Sequence, residues 1–265
     1  MMRDLKIFLL YSQHAFQYRA RSFIWFLLAF LNPFVLLLFW QGILSQNTTL
    51  AGWSIDSIRT YYLLLMAGQA ILINHVELTI GIVDIMQGEL VRDLMKPYSY
   101  FKIKLLSESP WRFFQGFYAV VTITALSYVF GITLTFANSI TMMLLAILIV
   151  INAFLLSFLF KAVIGFAAFW MTNIDSLLDT NEVLLFALSG MVLPLNLFPS
   201  WMQTFANFTP YPYILYYPIT AIIGMHNIQD LIYIILAQFG MISVFTVLYK
   251  VMWDKGKKKF SGLGQ

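Results

Sequence analysis

"FIWFLLAFLNPFVLLLFWQGIL", residues 23–44, runs for twenty-two positions without one acidic or basic side chain. About 20 apolar residues in a helix cross the roughly 30 Å of hydrocarbon in a bilayer, so the stretch reads as a membrane span. A secretory leader has a shorter apolar core followed by a small-residue cleavage site, and this run is long enough to stay in the membrane. Working outward, five further apolar runs lie at 61–83, 117–135, 140–160, 183–197 and 228–250, and the run from Ala162 to Met171 offers an extension of the fourth. None alternates with the period of two that marks barrel strands, and a lipid-exposed chain must satisfy its own backbone hydrogen bonds. The expectation is an all-α integral membrane protein: one transmembrane domain over 1–265, with six transmembrane helices.

The whole chain agrees with that class, being 60% hydrophobic and 11% charged, with a mean hydropathy of +0.79. There are no cysteines, which excludes disulfides and thiolate metal centres. The three histidines, His14, His75 and His226, lie far apart in sequence. No catalytic constellation and no metal site is expected.

Lysine and arginine favour cytoplasmic loops. With both termini inside, 15 of the 16 basic residues fall on the inner side, Lys161 among them as a loop residue after the fourth span, and only Arg59 falls outside. The terminal "KGKKK" (255–259) reads as a topology anchor beside anionic membrane lipid, with no nucleic acid implied. Asn47-Thr48-Thr49 matches an N-glycosylation acceptor in an outer loop, a common accidental match.

Charge gathers after the second run, in "GIVDIMQGELVRDLMKPYSYFKIK" (81–104). From 87 to 96, Glu89, Arg92, Asp93 and Lys96 recur at helical spacing beside a row of Met86, Leu90 and Leu94. This predicts a short amphipathic helix, stopped where Pro97 lacks the donor to continue it. A second departure from a plain bundle is the cluster of Pro194, Pro199, Pro210, Pro212 and Pro218 among aromatic residues that include Trp201. No straight helix survives there, which predicts short or re-entrant helices forming an outer lid over 194–225.

The ordered set "YRARSF" (18–23), "GELVRDLMKPYSY" (88–100), "FW" (169–170), "LSGMVLPLNLFPSWM" (188–202) and "TPYPYILYYP" (209–218) resembles the membrane subunits of ABC type 2 exporters, over nearly the whole chain. Within that superfamily it looks most like six-span permeases of drug and lipid exporters. The resemblance implies a dimer of six-span halves, as homodimer or paralogous heterodimer, in the cell membrane and driven by two cytoplasmic ATPase subunits. It also implies that 87–96 is the coupling helix within a cytoplasmic loop at 84–112, with Glu89, Arg92, Asp93 and Lys96 as charged contacts and Leu90 and Leu94 as apolar anchors. The proline-rich segment would then be the outer gate. An interfacial helix is implied over 1–22, consistent with Leu5, Phe8, Leu9, Ser12 and Phe16 on one face.

This chain has no G-x-x-x-x-G-K-[ST] phosphate loop. It is expected to bind no cofactor itself, ATP and Mg belonging to the partner ATPase. Asn74, His75 and Glu77 fall inside the second run, where exposing charge to lipid is costly, so they are expected to face protein or a cavity; the resemblance, in which the second and fifth helices line the dimer interface, makes them candidates to line the pathway, with mutual satisfaction by neighbouring helices as the alternative. Asp175, Asp179 and Glu182 read as acids favouring the N-terminus of the fifth helix. Two other classes stay open: a secondary transporter or channel, which would show a repeat or paired broken helices, and a membrane-embedded enzyme, which would need an acid or histidine cluster. The cargo is expected to be hydrophobic or amphipathic.

Overall fold

The computed structural model describes residues 2–43 and 52–261. It is α-helical. An N-terminal helix α1 (Met2–Gln17) is followed by α2 (Arg19–Ile43) and α3 (Ile55–Leu72). After a break the chain resumes as α4 (Val76–Leu78), which passes into a π-helix (Thr79–Met86). Next come the five-residue α5 (Leu90–Leu94), the long α6 (Tyr100–Val129), and α7 (Ile140–Phe166) with a 3-10 turn at Ala167–Phe169. The chain then forms α8 (Asp175–Leu188), a 3-10 turn at Leu195–Leu197, the short helices α9 (Ser200–Asn207), α10 (Tyr211–Ile214) and α11 (Tyr216–Ile223), and α12 (Ile228–Lys259). Among the described residues, four segments are long and apolar enough to cross a membrane: Phe23–Gly42, Ile55–Met86, Ile140–Phe169 and Ile228–Lys259.

Side-chain contacts define two ends. At one, Trp253 of α12 stacks on Tyr100 of α6, centroids 4.5 Å apart and planes at 10°, and lies 5.5 Å from Phe166 of α7. At the other, the Tyr61 and Tyr62 hydroxyls of α3 donate to the carbonyls of Gly190 and Val192 at 2.7 and 2.9 Å, and Trp53 Nε1 donates to Asn196 Oδ1 at 2.9 Å. The stretch after α6 returns to that second end, where Thr135 N donates to Thr60 Oγ1 and Ala137 N to the Ile222 carbonyl. Thus α6, α7, α8 and α12 run between the two ends, as does α3 together with α4 and the π-helix that continue it, and α2 lies against α3, its Trp40 Nε1 donating to the Tyr62 hydroxyl at 2.8 Å. We call these the charged end and the aromatic end.

Several expectations change. The run at 183–197 is not one helix: α8 stops at Leu188, Gly190 takes φ +88°, and the chain stays irregular to Pro194. At 14 residues α8 spans about 21 Å, short of a full crossing. The run at 117–135 belongs to a helix that starts at Tyr100 and ends at Val129. The run at 61–83 is interrupted, because α3 closes at Leu72 and Ile73 is extended at φ −86°, ψ 101°. Lys161 is not a loop residue; it lies within α7 at 1% exposure. Lys104 and Arg112 are buried too, at 6% each, so three of the basic residues counted toward orientation face protein. Packing pairs them with carboxylates that a charge count along the chain does not see.

At the N-terminus, α1 packs against α6, with Phe16 centred 6.1 Å from Phe114, while Leu5 and Leu9 stay exposed. The Asn47 acceptor motif lies outside the described residues.

Candidate functional site

Three groups of predicted residues fall at three levels of the bundle. The middle one is built on the break in α3. With Ile73 extended, the carbonyls of the last turn of α3 lose their helical donors. Arg112 of α6 donates to one of them, Ala70 O, at 3.3 Å, and to Gln115 Oε1 at 3.1 Å, with Glu108 Oε2 3.4 Å away. A cation at a helix C-terminus is also favoured by the helix dipole. Asn74, in the break, donates to Ser157 Oγ of α7 at 3.1 Å.

One turn further, Glu77 meets α7. Lys161 Nζ lies 2.9 Å from Glu77 Oε1 and 2.9 Å from Glu182 Oε1 of α8, and His75 Nδ1 lies 3.6 Å from Glu77 Oε1. One ammonium therefore bridges two carboxylates and ties α4, α7 and α8 together. The helices come this close because Gly165 has no side chain: a Cβ there would stand 3.0 Å from the Glu77 carbonyl and 3.0 Å from Ile80 Cβ. His75, Glu77 and Glu182 each offer a ligand atom within 4.8 Å of the others. Lys161 already supplies a cation between the two carboxylates, so the chemistry is that of an ion-pair network. Glu77 Oε2 and Asn74 Oδ1 remain buried without a hydrogen-bond partner. The group sets two carboxylates against one ammonium. The sequence brought Asn74, His75 and Glu77 forward, and the structure places them together; it missed Lys161 and reserved Glu182 for a helix N-terminus.

At the charged end lies the predicted coupling segment. The helix is only Leu90–Leu94, because Gly88 takes φ +81° and turns the chain before it starts. That shifts its phase from the one expected of a ten-residue helix. Leu90 is fully buried and Asp93 is 4% exposed, so both turn into the protein, whereas Val91, Leu94 and Met95 are 41%, 45% and 74% exposed. Glu89 and Arg92 pair with each other at 3.3 Å on the surface. Asp93 is held by Lys96 at 2.7 Å and by Lys104 of α6 at 3.1 Å. Lys104 also reaches Asp84 Oδ2 of the π-helix at 2.6 Å, and the Tyr100 hydroxyl donates to the same oxygen. Burial alone would raise the Asp93 carboxyl, but Lys96 and Lys104 outweigh it and hold it below the usual carboxylate range.

At the aromatic end the five prolines sit where helices begin. Pro194 precedes the 3-10 turn, Pro199 precedes α9, Pro210 precedes α10, Pro212 lies in the first turn of α10 and Pro218 in the first turn of α11. A missing N–H costs nothing at those positions, since the first turn has no internal acceptor for it. Trp201 of α9 is 70% exposed. The segment is fastened from below by Gln238 of α12, whose buried amide donates to the carbonyls of Ile149 in α7 and Tyr213 in α10, both at 3.1 Å.

Comparison with known proteins bears on all three levels. No curated protein sequence and no solved structure matches the chain. Residues 30–264 match the family model described as "ABC-2 family transporter protein". That interval takes in the broken span, the charged turn, the proline-rich segment and the last helix, so with its long apolar helices this chain belongs to the ABC-2 transporter family as a multi-pass transmembrane permease.

Proposed function

We propose that the protein is one half of a dimeric, ATP-driven exporter in the cell membrane. The charged end and both termini face the cytoplasm, and two separate ATPase subunits supply ATP hydrolysis. In this reading α6 adds a fifth crossing to the four apolar segments, α8 together with the irregular chain that follows it to Pro194 makes the sixth, and the cargo is hydrophobic or amphipathic. The observation that carries it is the wiring of α5. Asp93 is tied through Lys104 to both the π-helix and α6, and Tyr100 of α6 stacks on α12. A displacement of this five-residue helix therefore reaches three helices at once. Its outward face, Glu89, Val91, Arg92, Leu94 and Met95, has the mixed apolar and charged character of a protein-docking patch.

The geometry separates docking from structure. Leu94→Asp combined with Met95→Asp is expected to lower co-purification of the ATPase subunits at least about 30-fold, the loss of a central apolar contact. Thermal stability of the permease itself should hardly move, because both side chains already face solvent. Wild-type recovery of the ATPase with this double variant would remove α5 as the docking element. Intact assemblies should contain two permeases and two ATPases.

A second reading, an ATP-independent transporter, is favoured by the break at Ile73 and the buried charges beside it. Transport by the purified permease alone, without nucleotide, would select it.

A further inference from the structure

We propose that the cavity at the aromatic end, between α10, α11 and the start of α12, is a binding site for a quaternary ammonium group. It has a volume of about 320 Å³ and is lined by Tyr213, Tyr217, His226, Asp230, Tyr233 and Ile234. Three phenol rings beside one carboxylate, with no lysine or arginine among the lining residues, is the composition that attracts a weakly hydrated organic cation. The ring faces carry negative quadrupole charge, and a trimethylammonium group offers methyl surface to the rings while keeping its charge. A small neutral apolar group would gain only the methyl contact. A divalent ion would find a single carboxylate, too few oxygen ligands to replace its water.

The rings are held in place. Tyr213 of α10 and Tyr217 of α11 face each other across the break at Leu215 with centroids at 4.9 Å, and Tyr217 is 6.0 Å from the His226 ring. The Tyr217 hydroxyl donates to Asn207 Oδ1 at 2.7 Å, and the Tyr213 carbonyl is fixed by Gln238. Gly224, at φ +88°, closes α11 against Ala137, whose Cα would be 2.8 Å from any added Cβ, and so sets the path into His226. His226 Nε2 pairs with Thr220 Oγ1 at 2.8 Å, and burial lowers its imidazole below the usual value despite Asp230 nearby. The ring is therefore neutral at pH 7 and does not repel a cation. Asp230 lies in the first turn of α12, its backbone N–H capped by Asn227 Oδ1 at 2.8 Å. That bond survives replacement of its carboxylate. Tyr233, at 70% exposure, marks the mouth. Such an open mouth admits the group either as free choline or as the headgroup of a lipid in the adjoining leaflet.

The test uses the full chain purified in a neutral detergent without any ATPase, so its result stands apart from the exporter reading. Choline is titrated by saturation-transfer NMR against 3,3-dimethylbutan-1-ol, its uncharged carbon analogue. In parallel, thermal unfolding is compared in nanodiscs of phosphatidylcholine and of phosphatidylglycerol. We expect choline to bind at least about tenfold more tightly than the alcohol, and Tyr217→Leu, Asp230→Asn and the surface variant Tyr233→Leu each to weaken it by about tenfold. Stabilisation by phosphatidylcholine alone, abolished by the same variants, supports the site with a lipid as the source. Saturable choline binding alone supports it with a free ligand. Three outcomes overturn it: equal binding of the alcohol, no preference for choline or phosphatidylcholine, or affinities unchanged in variants whose ligand-free unfolding matches the wild type.

Discussion

Lys161→Met is expected to destabilise the protein by about 3–5 kcal/mol, the cost of leaving a buried charge without its partner. The methionine fills nearly the same space, so packing changes little. What changes is Glu77, which is 2% exposed and loses the ammonium 2.9 Å away while its second oxygen is already unpaired. Glu182, with a side chain 48% exposed, can turn to water instead. Two further variants follow from this asymmetry. Glu182→Gln should cost less than about 1 kcal/mol, as for other solvent-exposed pairs. Lys161→Met with Glu77→Gln should recover most of the loss, because no charge is then left stranded. Thermal unfolding in detergent reads all three, and a Lys161→Met protein that melts like the wild type would show that the network contributes nothing to stability.

Lys104→Met is expected to act on the charged end with similar force, about 3–5 kcal/mol by the same reasoning. Lys104 stands between Asp84 and Asp93, whose side chains are 1% and 3% exposed. Without it two buried carboxylates share a site and α5 loses its tie to α6. Limited proteolysis between residues 87 and 99 should rise sharply, and, on the proposed function, ATP hydrolysis by the partner subunits should continue with transport lost. Unchanged proteolysis would contradict the tie. Acid should weaken the same contact. The Asp93 carboxyl is depressed in the folded protein, so its contribution is complete above the unfolded value of about 3.9 and is lost as pH falls below that through the depressed value.

These two lysines also show which parts of the molecule the sequence discloses. Long apolar runs identify the helices and the class, since hydrophobic length is a local property. The prolines at 194, 199, 210, 212 and 218 likewise announce a broken segment by themselves. The interruption at Ile73-Asn74-His75 contains neither proline nor glycine, and it rests on Arg112, Ser157 and Lys161, residues on α6 and α7. Nothing within that run reveals it. Lys161 was assigned to water because its carboxylates lie 84 and 21 positions away in the chain. The extent of the short helix was misread for a local reason that the sequence did contain: Gly88, read as part of a helix from 87 to 96, takes a left-handed conformation and starts the helix later. Leu90 and Asp93 thereby turn inward, and Leu94 and Met95 carry the exposed apolar surface.

The fastening of the proline-rich segment bears on what is able to move. Its first portion, from Gly190 to Asn196, is bound to Tyr61, Tyr62 and Trp53, so it travels with α3. Its last portion is bound through the Gln238 amide to α7 and α12. Between them, residues 197–209 form a strap from the part held by α3 alone to the part held by Gln238, where Leu215 and Tyr216 also pack on Gly68 and Tyr61 of α3. If α3 pivots at its break while α7 and α12 stand still, the strap must tilt or stretch, and α9 with its exposed Trp201 swings outward. The proline-rich segment then needs no hinge of its own: its tilt follows the shift of α3 against α12.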